Sequence, residues 1–123
     1  MAIRKNIIQE RSYSFALEII NLVKGLPKNT ACFELGKQLI RSGTSIGANI
    51  EEAIGASSKK DFIYKINISK KEARESLYWL RLIFDSQLTN NTRIEQLIDD
   101  ANALIKILNS IVKTSENQKD LKS

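Results

Sequence analysis

Residues 59–81 carry seven basic side chains (Lys59, Lys60, Lys65, Lys70, Lys71, Arg74 and Arg81) against three acidic ones, so this stretch holds +4 of the chain's +5. On a helix turning about 100° per residue, Lys59, Lys70, Arg74 and Arg81 project within about 60° of each other. Cations in such a row neutralise phosphates and release condensed counterions, the chemistry of sequence-tolerant RNA or DNA binding. The same row without a ligand is a solvated flank, with Glu75 at hand for pairing. Repetition around an oligomer would multiply a weak monomer patch.

A second set of polar residues, Gln38, Arg41, Ser42, Ser45, Asn49 and Glu52, runs along one helical stripe. Buried polar groups must find partners. One outcome is an interhelical hydrogen-bond network that fixes register, with Ser69, Glu72, Ser76 or Arg74 as partners. The other is a groove that contacts a ligand or partner. Glu52, Glu72 and Glu75 are also the carboxylates from which a metal site would be built. The chain has no histidine and one cysteine, Cys32. Zinc sites of the Cys/His type and histidine-activated nucleophiles are therefore excluded within one chain. Gly43 to Gly47 is not followed by Gly-Lys-Ser/Thr and is no phosphate loop. These features argue against an enzyme, and no catalytic residue, cofactor or metal is expected.

A third set is apolar. Tyr64, Ile68, Trp79 and Leu82 align on the side of their helix away from Ala73 and Leu80. An aligned aromatic stripe suggests a subunit interface. Cover by the N-terminal segment, or by the stems of Lys71 and its neighbours, is the alternative.

Four helical segments must position these sets. The first runs from about Ser12 to Gly25, with Phe15, Ile19, Leu22 and Leu26 on one seam, and Gly25-Leu26-Pro27 stops it. The second, about Thr30 to Ala56, carries two seams. Cys32, Leu35, Leu39, Ser42, Ile46, Asn49, Ala53 and Ala56 form a heptad pattern. Phe33, Gly36, Ile40, Gly43, Gly47, Ile50 and Ile54 form the other. Each glycine costs a helix interior roughly 1 kcal/mol relative to alanine, which close approach of a neighbouring backbone explains. The third segment, about Lys59 to Ser86, starts at a Ser58 N-cap and has Phe62, Ile66, Ser69, Ala73, Ser76, Leu80 and Ile83 on its seam. The fourth has the cleanest heptad, Ile94, Leu97, Ala101, Leu104, Leu108 and Ile111, capped by Asn91 or Thr92 with Glu95 available for a capping box. Short connections make sequential helices antiparallel neighbours. The expected fold is all-α, an antiparallel up-down four-helix bundle over residues 12–113. Residues 1–11 are an N-terminal extension of no clear period, and 114–123 are a flexible polar tail.

The run Gln38-Leu-Ile-Arg41-Ser42, continuing through Ser45-Ile46 to Asn49-Ile50-Glu-Glu52-Ala53, is distinctive. With Ser58-Lys-Lys-Asp61-Phe62 and the segment from Lys71 to Leu80, it closely resembles the four helix bundle protein family. That family includes proteins encoded in bacterial 23S rRNA intervening sequences. The resemblance covers about Ser12 to Lys113 and implies an up-down bundle assembled into a ring-like homopentamer. The accessory variability protein of diversity-generating retroelements is similar in fold and binds a reverse transcriptase and nucleic acid. By that analogy, RNA or DNA and a reverse transcriptase are the partners implied here. Fold carries over more firmly than activity.

At 123 residues with 42% apolar content, one domain can bury a sufficient core without disulfide or metal. Cys32 on a seam is expected to be a buried, inert thiol. No apolar run approaches the ~20 residues of a membrane span. The first residues lack the apolar stretch of a secretory signal, so a soluble cytoplasmic location is the expectation.

Overall fold

The computed structural model describes residues 2–122, with side chains described for 7–118. Four helices follow in order: α1 (Ala2–Lys24), α2 (Thr30–Ile54), α3 (Lys59–Asp85) and α4 (Arg93–Lys122). Each packs on its neighbours in sequence, and α1 returns to α4. No diagonal pair touches among the described residues. The result is a closed four-helix bundle.

Local chemistry explains the boundaries. Asn29 starts α2 by accepting the Cys32 N–H at 2.8 Å, and Ser58 starts α3 by accepting the Asp61 N–H at 3.0 Å. Of the two caps expected for α4, Asn91 does the work: its Oδ1 accepts the Arg93 N–H at 2.9 Å. Helix α3 ends on a left-handed residue, Gln87, with φ 56°. There the Leu88 N–H reaches the Ile83 carbonyl at 3.2 Å and the Gln87 N–H the Phe84 carbonyl at 3.1 Å. That is the Schellman pattern, which satisfies the last carbonyls of the helix.

The core holds the residues that the heptads nominate. Ile46, Ile50, Ala73, Leu80, Leu97, Leu104 and Leu108 are all buried, and so is Cys32. Two boundaries differ from the sequence expectation. Helix α1 begins at Ala2, so there is no separate extension over 2–11, and Ile8 joins the core. Helix α4 runs to Lys122 and buries Ser115, so the polar tail is helical through that point. Positions 1 and 123 lie outside the described residues. In both helices a serine occupies the next heptad position, Ser12 in α1 and Ser115 in α4, and in α1 Ile8 carries the seam past it. Among the described residues, no helix is long and apolar enough to cross a membrane.

The glycines of α2 explain how α1 fits. A Cβ on Gly43 would sit 3.1 Å from Cγ2 of Ile19, and one on Gly36 would sit 3.0 Å from Cγ1 of Val23. At Gly47 the nearest atom is Oγ of Ser12, at 3.2 Å. Side chains of α1 thus nest into α2 where a larger residue would hold them off. Phe33, at the end of the same seam, points elsewhere and is 65% exposed.

Candidate nucleic-acid interface

The four residues of the basic row do not share one environment. Arg74 and Arg81 are exposed on α3, and neither has an ion pair among the described residues. Lys70 is half-buried and its Nζ donates to Oδ1 of Asn109 on α4 at 3.0 Å. Lys106 and Lys113, three residues before and four after Asn109, lie on that same side of α4. Lys59 departs from the row, because its Nζ is enclosed and has no hydrogen-bond partner among the described residues. The surface therefore consists of Arg74 and Arg81, with Lys70 tied to the α4 edge.

Glu75 does not neutralise this row. It turns to α2, where Arg41 bonds both Glu75 and Glu72, the latter at 3.2 Å. Arg41 also donates from Nε to Gln38 at 3.4 Å. Further along, Lys65 donates to Glu52 at 2.8 Å. This hydrogen bond, reinforced by the charge of Glu52, raises the pKa of Lys65 above its ordinary 10.5. All three carboxylates considered for a metal site are thus held by cations.

Beneath this exposed layer lies a buried one. The Ser76 and Ser42 hydroxyls share a 2.8 Å hydrogen bond. The carbonyls of Glu72 and Leu39 lie 2.9 and 3.4 Å from them. Two hydroxyls carry two protons, so one lies between the oxygens and the other reaches a helix carbonyl. One turn on, Ser69 donates across the helix pair to the Ile46 carbonyl at 2.8 Å. Ser45 and Asn49 instead bond back to their own helix, to the carbonyls of Arg41 and Ser45. Ser69, Glu72 and Ser76 thus bond across to α2, whereas Arg74 faces solvent. The geometry is that of a register-fixing seam between α2 and α3.

The apolar stripe of α3 is graded rather than uniform. Tyr64 is 60% exposed, while Ile68, Trp79 and Leu82 are half-buried. Trp79 packs against the core and meets the ring of Tyr78 edge-on, with centroids 5.1 Å apart. Tyr78, which the sequence stripe omitted, is itself exposed. A second apolar surface lies between α1 and α2, where Tyr13 and Leu17 are exposed beside Ala16, Ile20 and Ala48. The spacing of Tyr13, Leu17 and Ile20 carried that signal, but the stronger Phe15–Ile19–Leu22 seam masked it.

Comparison with known proteins places this architecture. A solved structure from Bacteroides thetaiotaomicron VPI-5482 is similar in fold, with a TM-score of 0.82 and 43% sequence identity. It is described as a protein with unknown function from the S23 ribosomal protein family. The match covers 89% of this chain and 98% of that one. Among curated proteins the comparison found no match. The family model for the 23S rRNA-intervening sequence protein matches residues 4–110. That span reaches into all four helices and includes the whole of α2 and α3, and the chain belongs to the 23S rRNA-intervening sequence protein family.

Proposed function

We propose that this protein is a non-enzymatic homo-oligomer that binds RNA or DNA through the basic side of α3. The observation that carries the reading is a contrast among the cations. Arg41, Lys65 and Arg93 are each held by a carboxylate of the bundle. Arg74 and Arg81 are exposed and make no ion pair among the described residues: Glu75, next to Arg74 in sequence, is bonded to Arg41 instead, and Asp85, one turn beyond Arg81, is not paired with it. Cations left without a counter-charge are the ones free to meet phosphate. Assembly is supported by two apolar surfaces of different shape, one on α3 and one between α1 and α2. Two unlike faces favour a head-to-tail contact, which makes a ring when the rotation closes. The family resemblance favours five subunits.

Gel shifts at low salt with rRNA-derived and unrelated duplexes test the binding. Each phosphate contact adds about 0.9 to the slope of log affinity against log salt. Replacing Lys70, Arg74 and Arg81 together by glutamine weakens the shift and flattens that slope, while light scattering reports an unchanged oligomer. No shift for the parent with either duplex would replace this reading with that of a protein-interaction scaffold.

A further inference from the structure

The sharp turn from α1 into α2 leaves a hollow of about 770 Å³ at one end of the bundle. Its apolar lining comes from Val23, Leu26 and Ile40. Lys24, Lys28 and Lys37 surround it against a single acid, Glu34. None of these lysines has an ion pair among the described residues. Phe33 forms part of the wall and stands 65% exposed, far more than a ring on a packing seam needs. One helical turn further on, the Nζ of Lys37 sits over that ring, 5.4 Å from its centre, so a base that stacks there displaces the ammonium toward its own phosphate. The hollow also opens at the start of α2, whose 25 residues direct a positive dipole end toward it.

We propose that this hollow binds single-stranded nucleic acid, with one unstacked base lying on Phe33 and the flanking phosphates on Lys24, Lys28 and Lys37. An aromatic face within a cluster of unpaired cations is the combination that single strands use, because every base has a π-face and every nucleotide a phosphate. A duplex keeps its bases stacked and has none to place on an exposed ring. The site takes its ligand class from the nucleic-acid reading above but uses a different surface from the α3 row, so the two can fail separately.

Fluorescence anisotropy with a labelled twelve-nucleotide oligouridylate at low salt tests the proposal. Phe33→Ala should weaken binding about 5- to 150-fold, the range found for loss of one base stack. Phe33→Trp, which keeps a stacking face, should retain parental affinity. Replacement of Lys24, Lys28 and Lys37 by glutamine should weaken binding and flatten its salt dependence. The Lys70/Arg74/Arg81 variant should keep most of its single-strand affinity, and Phe33→Ala should keep its duplex shift. Because Phe33 is exposed, its substitution leaves the core intact. Equal affinity of Phe33→Ala and parent for the oligonucleotide would overturn the proposal. So would a change in oligomer size on Phe33→Ala, which would place the ring in a protein contact.

Discussion

Helix α2 packs on two neighbours by opposite means. Toward α1 it presents glycines, and the contact is a steric fit of Ile19 and Val23 against bare backbone. Toward α3 it presents Ser42 and Arg41, and the contact is made by hydroxyls beneath a layer of ion pairs. The first side sets how near a helix can come, and the second sets which residue stands opposite which. A misregistered α3 would strand hydroxyls in the core, and each buried unsatisfied group costs about 1–3 kcal/mol. A misplaced α1 loses mainly van der Waals contact, spread over many atoms, along with the exposed hydrogen bond from Gln9 to Glu51.

The steric side is the easier to break. Gly43→Leu should overpack against Ile19 and destabilise the fold by roughly 1–3 kcal/mol or more. Thermal or urea unfolding measures it, and a parental midpoint would mean that the close approach of α1 has no energetic weight. Gly43→Ala should fall between the two proteins, since about 1 kcal/mol of helix propensity offsets the squeeze.

Effects on the polar side should be smaller and should depend on pairing. Ser76→Ala leaves Ser42 with only the long bond to Leu39 and should cost about 0.5–1.5 kcal/mol. The double change of Ser42 and Ser76 to alanine removes both partners, and it should cost less than the sum of the single changes. Strict additivity in a double-mutant cycle would show that the hydroxyls do not act as a pair.

The outer ion pairs should give the smallest signal. Because the folded pKa of Lys65 is raised, its contribution is complete below the ordinary lysine value of 10.5. That contribution fades as pH climbs through the higher folded value. The stability difference between the parent and Lys65→Gln should therefore be constant near neutrality and shrink in strong alkali. A difference that grows with alkalinity would contradict the Glu52 pairing.

Much of this division was legible in the residues. Glycines at 36, 43 and 47 announce a close neighbour, and serines at 42, 69 and 76 on facing seams announce hydrogen bonds. The helix ends were harder to place. Ile8, Ser12, Phe15, Ile19, Leu22 and Leu26 keep one heptad seam, but Ser12 interrupts its apolar run. Its hydroxyl bonds back to the Gln9 carbonyl at 3.0 Å, so the helix passes through without a break. In α4 the buried Ser115 likewise breaks the apolar heptad that ends at Ile111, and the residues after it are polar enough to read as a tail. Surface chemistry was the least legible. A helical wheel places Lys59 beside Arg74 and Arg81, yet only the packing around the start of α3 shows that its ammonium is enclosed. Phe33 reads as a seam residue by spacing, but it lies in the first turn of α2, beside the point where α1 ends at Lys24, and its ring stays exposed.

The ring of helix contacts without diagonals also bears on how the chain reaches this shape. Consecutive helices meet after closing connections of only five, four and seven residues, 25–29, 55–58 and 86–92. The meeting of α1 with α4 spans most of the chain and, among the described residues, is the one pairing of helices distant in sequence. Loop-closure entropy grows only slowly with length, by about 0.6 kcal/mol per doubling. Topology therefore places a modest kinetic toll on a single step, and the three hairpins can form from local encounters alone.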